Sequence, residues 1–328
     1  MSLRASGADT DMPQFTIATS KELPRISIIT PCYNRAGFIR HAIESVIAQD
    51  YPNYEHIVVD GASTDGTLEI LAEYPHLRVI SEPDNGLYDA VNKGLKLAQG
   101  DLIGWLNSDD RYVAGAFHKV ARAFQANPHV DMVCGDTVFI EEDRHRHSVK
   151  RNKLISRRPQ FDIGALIEGY HINAYFITPR LYRQVGTYNS AYRVVGDSDL
   201  LYRLSFYRPA MVHVEDVLYE MYIHERSLTK SHTAEAKLHH LKESAQMNRS
   251  WLRMRIPDDL REFCRQRLVN LSAQALNSCI ELQRWDQAAK WMWLGCRYAP
   301  RRMGIVLLRS IYRFAIKPFG IRGTDKQK

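Results

Sequence analysis

This sequence predicts an α/β fold: a mixed, mostly parallel central sheet with helices on both faces, followed by a helical C-terminal appendage. Two observations carry that expectation. From Arg25 to Asp110, short apolar runs of strand length alternate with segments whose apolar residues recur at helical spacing, and the loops between them are short. From about Ala234 onward the helical pattern is almost unbroken, with Pro257 and Pro300 as punctuation.

Each element has a local reason. Residues 1–24 are polar and unpatterned, a loose arm. The run Arg25–Thr30 is apolar, strand-like and closed by Pro31. Asn34 is suited to cap the next helix, because its side-chain oxygen can accept a free amide. Ile39, Ile43, Val46 and Ile47 then predict a helix over Phe38–Ala48, ended by Tyr51-Pro52-Asn53. Tyr54–Asp60 is a second buried strand that stops on an aspartate. Gly61–Gly66 forms a turn, and Thr67–Tyr74 a second helix. Leu77–Ile80, Leu87–Gln99 and Leu102–Leu106 predict strand, helix and strand, the last running into Asn107-Ser108-Asp109-Asp110. The pattern loosens after Val130–Cys134 and returns at His171–Thr178. Asp199–Phe206 predicts a helix and Ala210–Glu215 a strand. Trp285–Pro300 resembles half of a helical hairpin. These readings divide the chain into the arm 1–24, a main domain 25–230 and a helical region 231–328.

Composition narrows the function classes. Of 328 residues, 45% are hydrophobic and 25% charged, which excludes a disordered or fibrous chain. The five cysteines contain no CxxC pair, so reduced thiols are expected rather than a disulfide framework or zinc site. The N-terminus has no apolar core of signal length and no apolar run is long enough to span a bilayer. A cytoplasmic protein is expected, with peripheral attachment to the inner face of the plasma membrane open. The net charge of +7 favours an anionic partner. Arg144, Arg146, Lys150, Arg151, Lys153, Arg157 and Arg158 follow one another with no acid between, and Asp325 is the single carboxylate after Pro300. Neither stretch carries a nucleic-acid motif, so nucleic acid is not an expected partner.

Acids gather where the predicted strands end: Asp60, Asp65 just beyond, and the pair Asp109-Asp110. In an open α/β sheet that edge is where ligands bind. There is no GxxxxGK[ST], and no GxGxxG follows the first strand. Without a glycine cradle, a hard cation held by carboxylates is the natural bridge to a diphosphate. Taken singly, Asp60 and Asp65 could equally be turn residues capping the next helix; their joint placement favours a site.

Three runs, Ile28-Ile-Thr-Pro31-Cys-Tyr33-Asn34-Arg, Ser45-Val-Ile-Ala-Gln49 and Val58-Val-Asp60-Gly-Ala-Ser-Thr-Asp65-Gly66, resemble the opening of glycosyltransferase family 2. So do Asn92-Lys-Gly-Leu-Lys-Leu-Ala-Gln-Gly-Asp101 and Trp105-Leu-Asn107-Ser-Asp109-Asp110. The likeness covers roughly residues 25–230 and implies the nucleotide-sugar fold called GT-A, with inversion at the anomeric carbon. By that resemblance Pro31, Tyr33 and Asn34 lie against the nucleotide, Asp60 contacts the base, and Asp65 sits in the adjoining turn. The family's acid-any-acid metal motif falls on Asn107, Ser108 and Asp109, with an amide in its first position. Asn107 and Ser108 are then expected beside the donor, and Asp109, helped by Asp110, is expected to hold Mg²⁺ or Mn²⁺.

The same resemblance places the catalytic base at Asp197, in a segment where the family more often has an acid at Gly196. Asp199, two residues on, cannot share its helical face and is expected to cap or orient. His224 matches a histidine near the end of the family domain, as a metal or diphosphate contact or as a structural residue. Arg226 and Lys230 could neutralise the leaving diphosphate. The expected partners are a nucleoside-diphosphate sugar, uridine-linked, and a saccharide or lipid-linked acceptor in envelope or exopolysaccharide synthesis. A non-catalytic nucleotide-sugar binder is the alternative, suggested by Asn107 and Gly196. Arg309, Arg313 and Lys317, set among Ile305, Leu308, Ile311, Tyr312, Phe314 and Ile316, allow either a membrane-surface helix or one packed on the protein.

Overall fold

The computed structural model describes residues 23–143, 148–154, 172–224, 227 and 233–311. They form two compact units, one ending at His224 and one made by the residues after it.

The first unit contains β1 (Ile26–Cys32), α1 (Ile39–Ile47), β2 (Tyr54–Asp60), α2 (Thr67–Ala72), β3 (Leu77–Ser81), α3 (Leu87–Leu97) and β4 (Leu102–Trp105). Next come β5 (Arg111–Tyr112), α4 (Ala116–Ala126), β6 (Met132–Asp143), β7 (Ser148–Leu154), β8 (Tyr175–Ile177), α5 (Pro179–Val185), α6 (Gly196–Tyr207) and β9 (Met211–Ile223). The strands join in the order β3-β2-β1-β4-β8-β6-β9-β5, with β7 also on β6. The pairs from β3 to β4 are parallel. β8 runs antiparallel to both β4 and β6, and β9 returns parallel to β6.

Both faces of this sheet are covered, as strand–helix alternation requires. Ile26, Ile28 and Leu102 pack on one side with Val46 of α1 and Phe117 and Val120 of α4. Ile29, Ile57 and Val59 pack on the other with Val91 and Leu95 of α3 and Leu200 and Leu204 of α6. β1 does not stop before Pro31 but runs through it to Cys32. Ile29 accepts a hydrogen bond from Leu106 N, on the β4 side. Pro31 faces the same way, where β4 pairing has already ended at Ile29↔Trp105. The missing N–H of proline therefore interrupts no ladder.

Other departures have equally local causes. The helix α4 carries only a weak sequence signal, because alanines hold several of its positions around the buried Phe117 and Val120. The short α5 starts on Pro179, with Thr178 capping the Leu181 amide. β9 continues past Glu215 because the register slips between Gly135 and Thr137 of β6. Glu215 and Asp216 stand outside the ladder there, and pairing resumes at Val217. Asn34 does not cap α1: that helix begins at Ile39, and Asn34 sits in the left-handed region at φ 53°.

One buried histidine has a measurable consequence. His56 in β2 is 1% exposed, and its Nε2 lies 2.9 Å from Thr30 Oγ1. Burial pushes its pKa down from 6.5 to about 3, with His76 a smaller push the same way. The unfolded chain therefore takes up a proton near pH 6.5 that the folded chain refuses until about pH 3. Stability falls as pH drops through that window, by about 1.4 kcal/mol per unit at the steepest. Urea midpoints measured between pH 7 and pH 4 are expected to fall less steeply in His56→Asn than in the wild type.

The second unit comprises α7 (Ala234–Leu252), α8 (Asp258–Glu281), α9 (Trp285–Cys296) and α10 (Pro300–Ile311). Thr233 caps α7 through the Ala236 amide. Leu238, Leu241, Leu268, Leu276, Trp291 and Met303 form its core. Among the described residues no helix is long and apolar enough to cross a membrane.

Candidate active site

The carboxyl ends of β1 and β2 are joined by side chains. Asp60, fully buried, accepts hydrogen bonds from Ser63 N at 2.9 Å, from Ser63 Oγ, and from Ser81 Oγ of β3 at 2.7 Å. Asn34 Oδ1 accepts from Thr64 N at 2.9 Å, and Ser63 Oγ lies 2.8 Å from Asn34 N. Asp65 accepts from the amides of Ala36 and Thr67, each at 3.1 Å. Burial pushes the Asp65 carboxyl up, but these bonds and that from the Thr67 hydroxyl outweigh it and hold the group below its usual range. Asp60, Asp65 and Asn34 thus shape the loops that carry the site. Pro31 is buried at the strand end, and Tyr33 is 59% exposed above it.

A residue absent from the sequence-based set joins Tyr33. A side chain at Gly61 would place its Cβ 2.6 Å from Asp84 Oδ2 and 3.3 Å from the Tyr33 ring. The glycine leaves room for the Asp84 carboxylate to lie over the turn beside Tyr33. Asp84 follows β3, and its Oδ1 accepts from Gly86 N at 2.8 Å. The rule that singled out Asp60 and Asp109, an acid just past a strand end, applies equally to Asp84.

The loop after β4 separates its two carboxylates. Asp110 turns inward: its oxygens accept from Asn107 Nδ2 at 2.9 Å, Tyr219 OH at 2.8 Å and Tyr222 N at 2.8 Å. Burial, and then the charge of Asp109, push its carboxyl well above the usual carboxylate range. Asn107 is an amide for a physical reason, since an acid there would face the Asp110 carboxylate where an N–H donor is needed. Ser108 is buried between them. Asp109 is the carboxylate that reaches outward, and its Oδ2 lies 3.1 Å from His224 Nε2. The His224 ring stacks on Phe38 with centroids 4.4 Å apart. The Asp109–His224 contact is a hydrogen bond between the two side chains, and a carboxylate oxygen beside an imidazole nitrogen is a donor pair that suits a divalent cation such as Mn²⁺ by type. Among the described residues no group of three or more acids, histidines or cysteines is arranged to hold a metal ion. Arg226 and Lys230 lie outside the described residues, as do His171 and the acid-free basic segment in large part.

Asp197 stands in the first turn of α6, and its Oδ1 accepts from Ser198 N at 2.7 Å and Tyr88 OH at 3.2 Å. Tyr88 is buried, stacked on Tyr188 at 5.7 Å and edge-on to Trp105 at 6.2 Å. Asn92 clamps Tyr188 through its main-chain O and N at 2.7 and 3.0 Å. The aromatic group therefore ties Asp197 to the end of β4, two residues before Asn107. Gly196 is required by the same packing, because a Cβ there would meet the Tyr88 ring at 2.7 Å. Asp199 is different: buried, and paired with Arg203 at 3.1 Å, it braces the helix.

The model for glycosyl transferase family 2 matches residues 27–187. A PGL/p-HBAD biosynthesis glycosyltransferase of Mycobacterium bovis is 33% identical over 197 residues, covering 58% of this chain and 72% of that protein. The chain belongs to glycosyltransferase family 2. A putative teichuronic acid biosynthesis glycosyltransferase of Bacillus subtilis is 40% identical over 94 residues, covering 27% of this chain and 37% of that one. Among solved structures, Staphylococcus aureus TarS 1–349 in complex with UDP-GlcNAc is similar at TM-score 0.59 and 17% identity, over 88% of this chain and 91% of that one. The mannosyltransferase PcManGT of Pyrobaculum calidifontis, in complex with GDP-Man and Mn²⁺, is similar at TM-score 0.56 and 18% identity, over 95% and 92%. The family 2 chain is thus a glycosyltransferase of GT-A fold with a helical C-terminal region.

Proposed function

We propose that this family 2 enzyme transfers a sugar, with inversion, from a uridine-diphosphate sugar to a hydroxyl of a saccharide or lipid-linked oligosaccharide. The observation that carries the reading is Asp197, held at a helix start by Tyr88 and tied through Trp105 to the loop bearing Asp109. Asp197 takes the proton of the acceptor hydroxyl as its oxygen bonds to the anomeric carbon, and the bond from that carbon to the diphosphate breaks on the opposite face. Tyr33 would stack on the base, and Asp84 beside it would accept a base N–H. Asp109 and His224 would hold Mg²⁺ or Mn²⁺, which when bound neutralises charge on the leaving diphosphate. The two departures that suggested a non-catalytic binder, Asn107 and Gly196, each have a packing partner, Asp110 and Tyr88.

A thermal-shift series tests the donor site. At 100-fold excess over Kd, a ligand bound to the folded state adds about 2.7 kcal/mol, so uridine diphosphate with Mn²⁺ is expected to raise Tm by several degrees. Asp109→Ala is expected to remove the metal-dependent part of the rise. Asp84→Ala is expected to shrink the nucleotide-induced rise both with and without metal. Absence of any shift with every nucleotide and metal would sink the reading.

A further inference from the structure

The last two helices each leave an apolar stripe in water. On α9, Trp285 and Trp293 are 64% and 65% exposed. Eight residues apart, they lie within ~80° of one another around the helix. The opposite side of α9, through Ala288, Trp291 and Gly295, is buried. On α10, Ile305 and Leu308 are 52% and 69% exposed, while Met303 packs inward against Gly295. Tryptophan at this exposure is uncommon on a soluble surface, and each of the two adjoining helices carries two large apolar groups in water.

The charge around them is one-sided. Lys290, Arg297, Arg301, Arg302 and Arg309 are exposed on these helices, and Asp286 is the single acid between Trp285 and Ile311. The Arg297 guanidinium lies 6.0 Å from the Trp293 ring centroid. On α10 the order Arg301, Ile305, Leu308, Arg309 puts cations and aliphatic groups on one stripe.

We propose that the exposed faces of α9 and α10 dock on an anionic lipid surface. The tryptophans would seat at headgroup depth, Ile305 and Leu308 would reach the acyl boundary, and the long cationic stems would spread to the phosphates. A second copy of the chain fits less well, because a two-fold contact would set these cations against themselves. Nucleic acid would use the cations but has no place for the two aliphatic side chains. The proposal extends the lipid-linked acceptor reading, since such an acceptor is met at a membrane face, but it stands on different residues.

The test is co-sedimentation of the full chain with vesicles of phosphatidylcholine alone and with added phosphatidylglycerol, at low and high salt. Binding is expected with the anionic vesicles, weakened by salt, with a blue shift of tryptophan emission. Trp285→Ser/Trp293→Ser and Arg297→Glu/Arg301→Glu are each expected to weaken it by at least about tenfold. Their Tm and nucleotide-induced Tm shift should stay at wild-type values, which separates this result from the donor-site test. The proposal is overturned by equal binding to neutral vesicles, by no binding, or by variants that bind like the wild type. It is also overturned if the double tryptophan variant instead abolishes self-association in sedimentation velocity, or if the chain binds duplex or single-stranded oligonucleotides in preference to vesicles.

Discussion

Asp197→Asn is expected to lower sugar transfer by about 10²–10⁴-fold, the usual contribution of a positioned general base. The asparagine keeps the size of the side chain and an oxygen that can accept from Tyr88 OH and Ser198 N. The fold and donor binding should therefore survive, with the Tm and the nucleotide-induced shift within error of the wild type. The loss should fall on kcat, because the proton moves only as the new bond forms. Asp199→Asn supplies the contrast from two residues away. It removes the charge that faces buried Arg203 at 3.1 Å, and breaking a buried pair in this way costs about 3–5 kcal/mol. Its signature is a lower unfolding midpoint, with the specific activity of the folded fraction largely retained. Full transfer by Asp197→Asn would remove it as the base.

Gly196→Asp is expected to destabilise the enzyme by about 1–3 kcal/mol, the range for overpacking a filled interior. On sequence resemblance alone this change restores an acid that the family more often carries, and a gain in activity would be anticipated. The structure predicts the reverse. A Cβ at this position meets the buried Tyr88 ring at 2.7 Å, and that ring is stacked on Tyr188 and edge-on to Trp105, so it has nowhere to move. Displacing Tyr88 also removes the O–H that positions Asp197. Transfer should fall together with stability. Urea denaturation and initial rates on the same preparation check both. In the Tyr88→Ala background the added cost of Gly196→Asp should largely disappear, because the two effects share one contact. Additive costs in that double variant would show that the clash lies elsewhere.

Much of the first unit was legible because its signals are local. A buried parallel strand is a continuous apolar run, and an acid or turn residue just past it marks the sheet edge, so β1 to β4 and their helices can be placed from Arg25 to Asp110. The misses came where signals were weak or conflicting. Alanine-rich α4 offers few large apolar residues to show its period. Glu215 and Asp216 look like a strand end when they are a register slip against Gly135–Thr137. Asn34 has the chemistry of a cap, but its oxygen goes to Thr64, across the gap between two loops. In the site, residue type and motif mark Asp109, His224 and Asp197, whereas Asp84, which also follows a strand, is marked by its approach to Gly61 and Tyr33.

By itself the sequence determined the family, the order of strands and helices from Arg25 to Asp110, and the short list of acids at the sheet edge. Those follow from residue type and spacing along the chain. Only the tertiary structure decided which acid does what. Asp110 and Asp109 are adjacent and chemically identical, yet one is surrounded by Asn107, Tyr219 and the Tyr222 amide, and the other meets His224. Asp197 and Asp199 divide in the same way, one under the Tyr88 hydroxyl and the other against Arg203. The role of a carboxylate is set by its burial and its donors, and these come from residues about a hundred positions away in the chain for Asp110, Asp109 and Asp197. Such long-range neighbours are fixed by how the sheet closes and its helices pack, which no local pattern records.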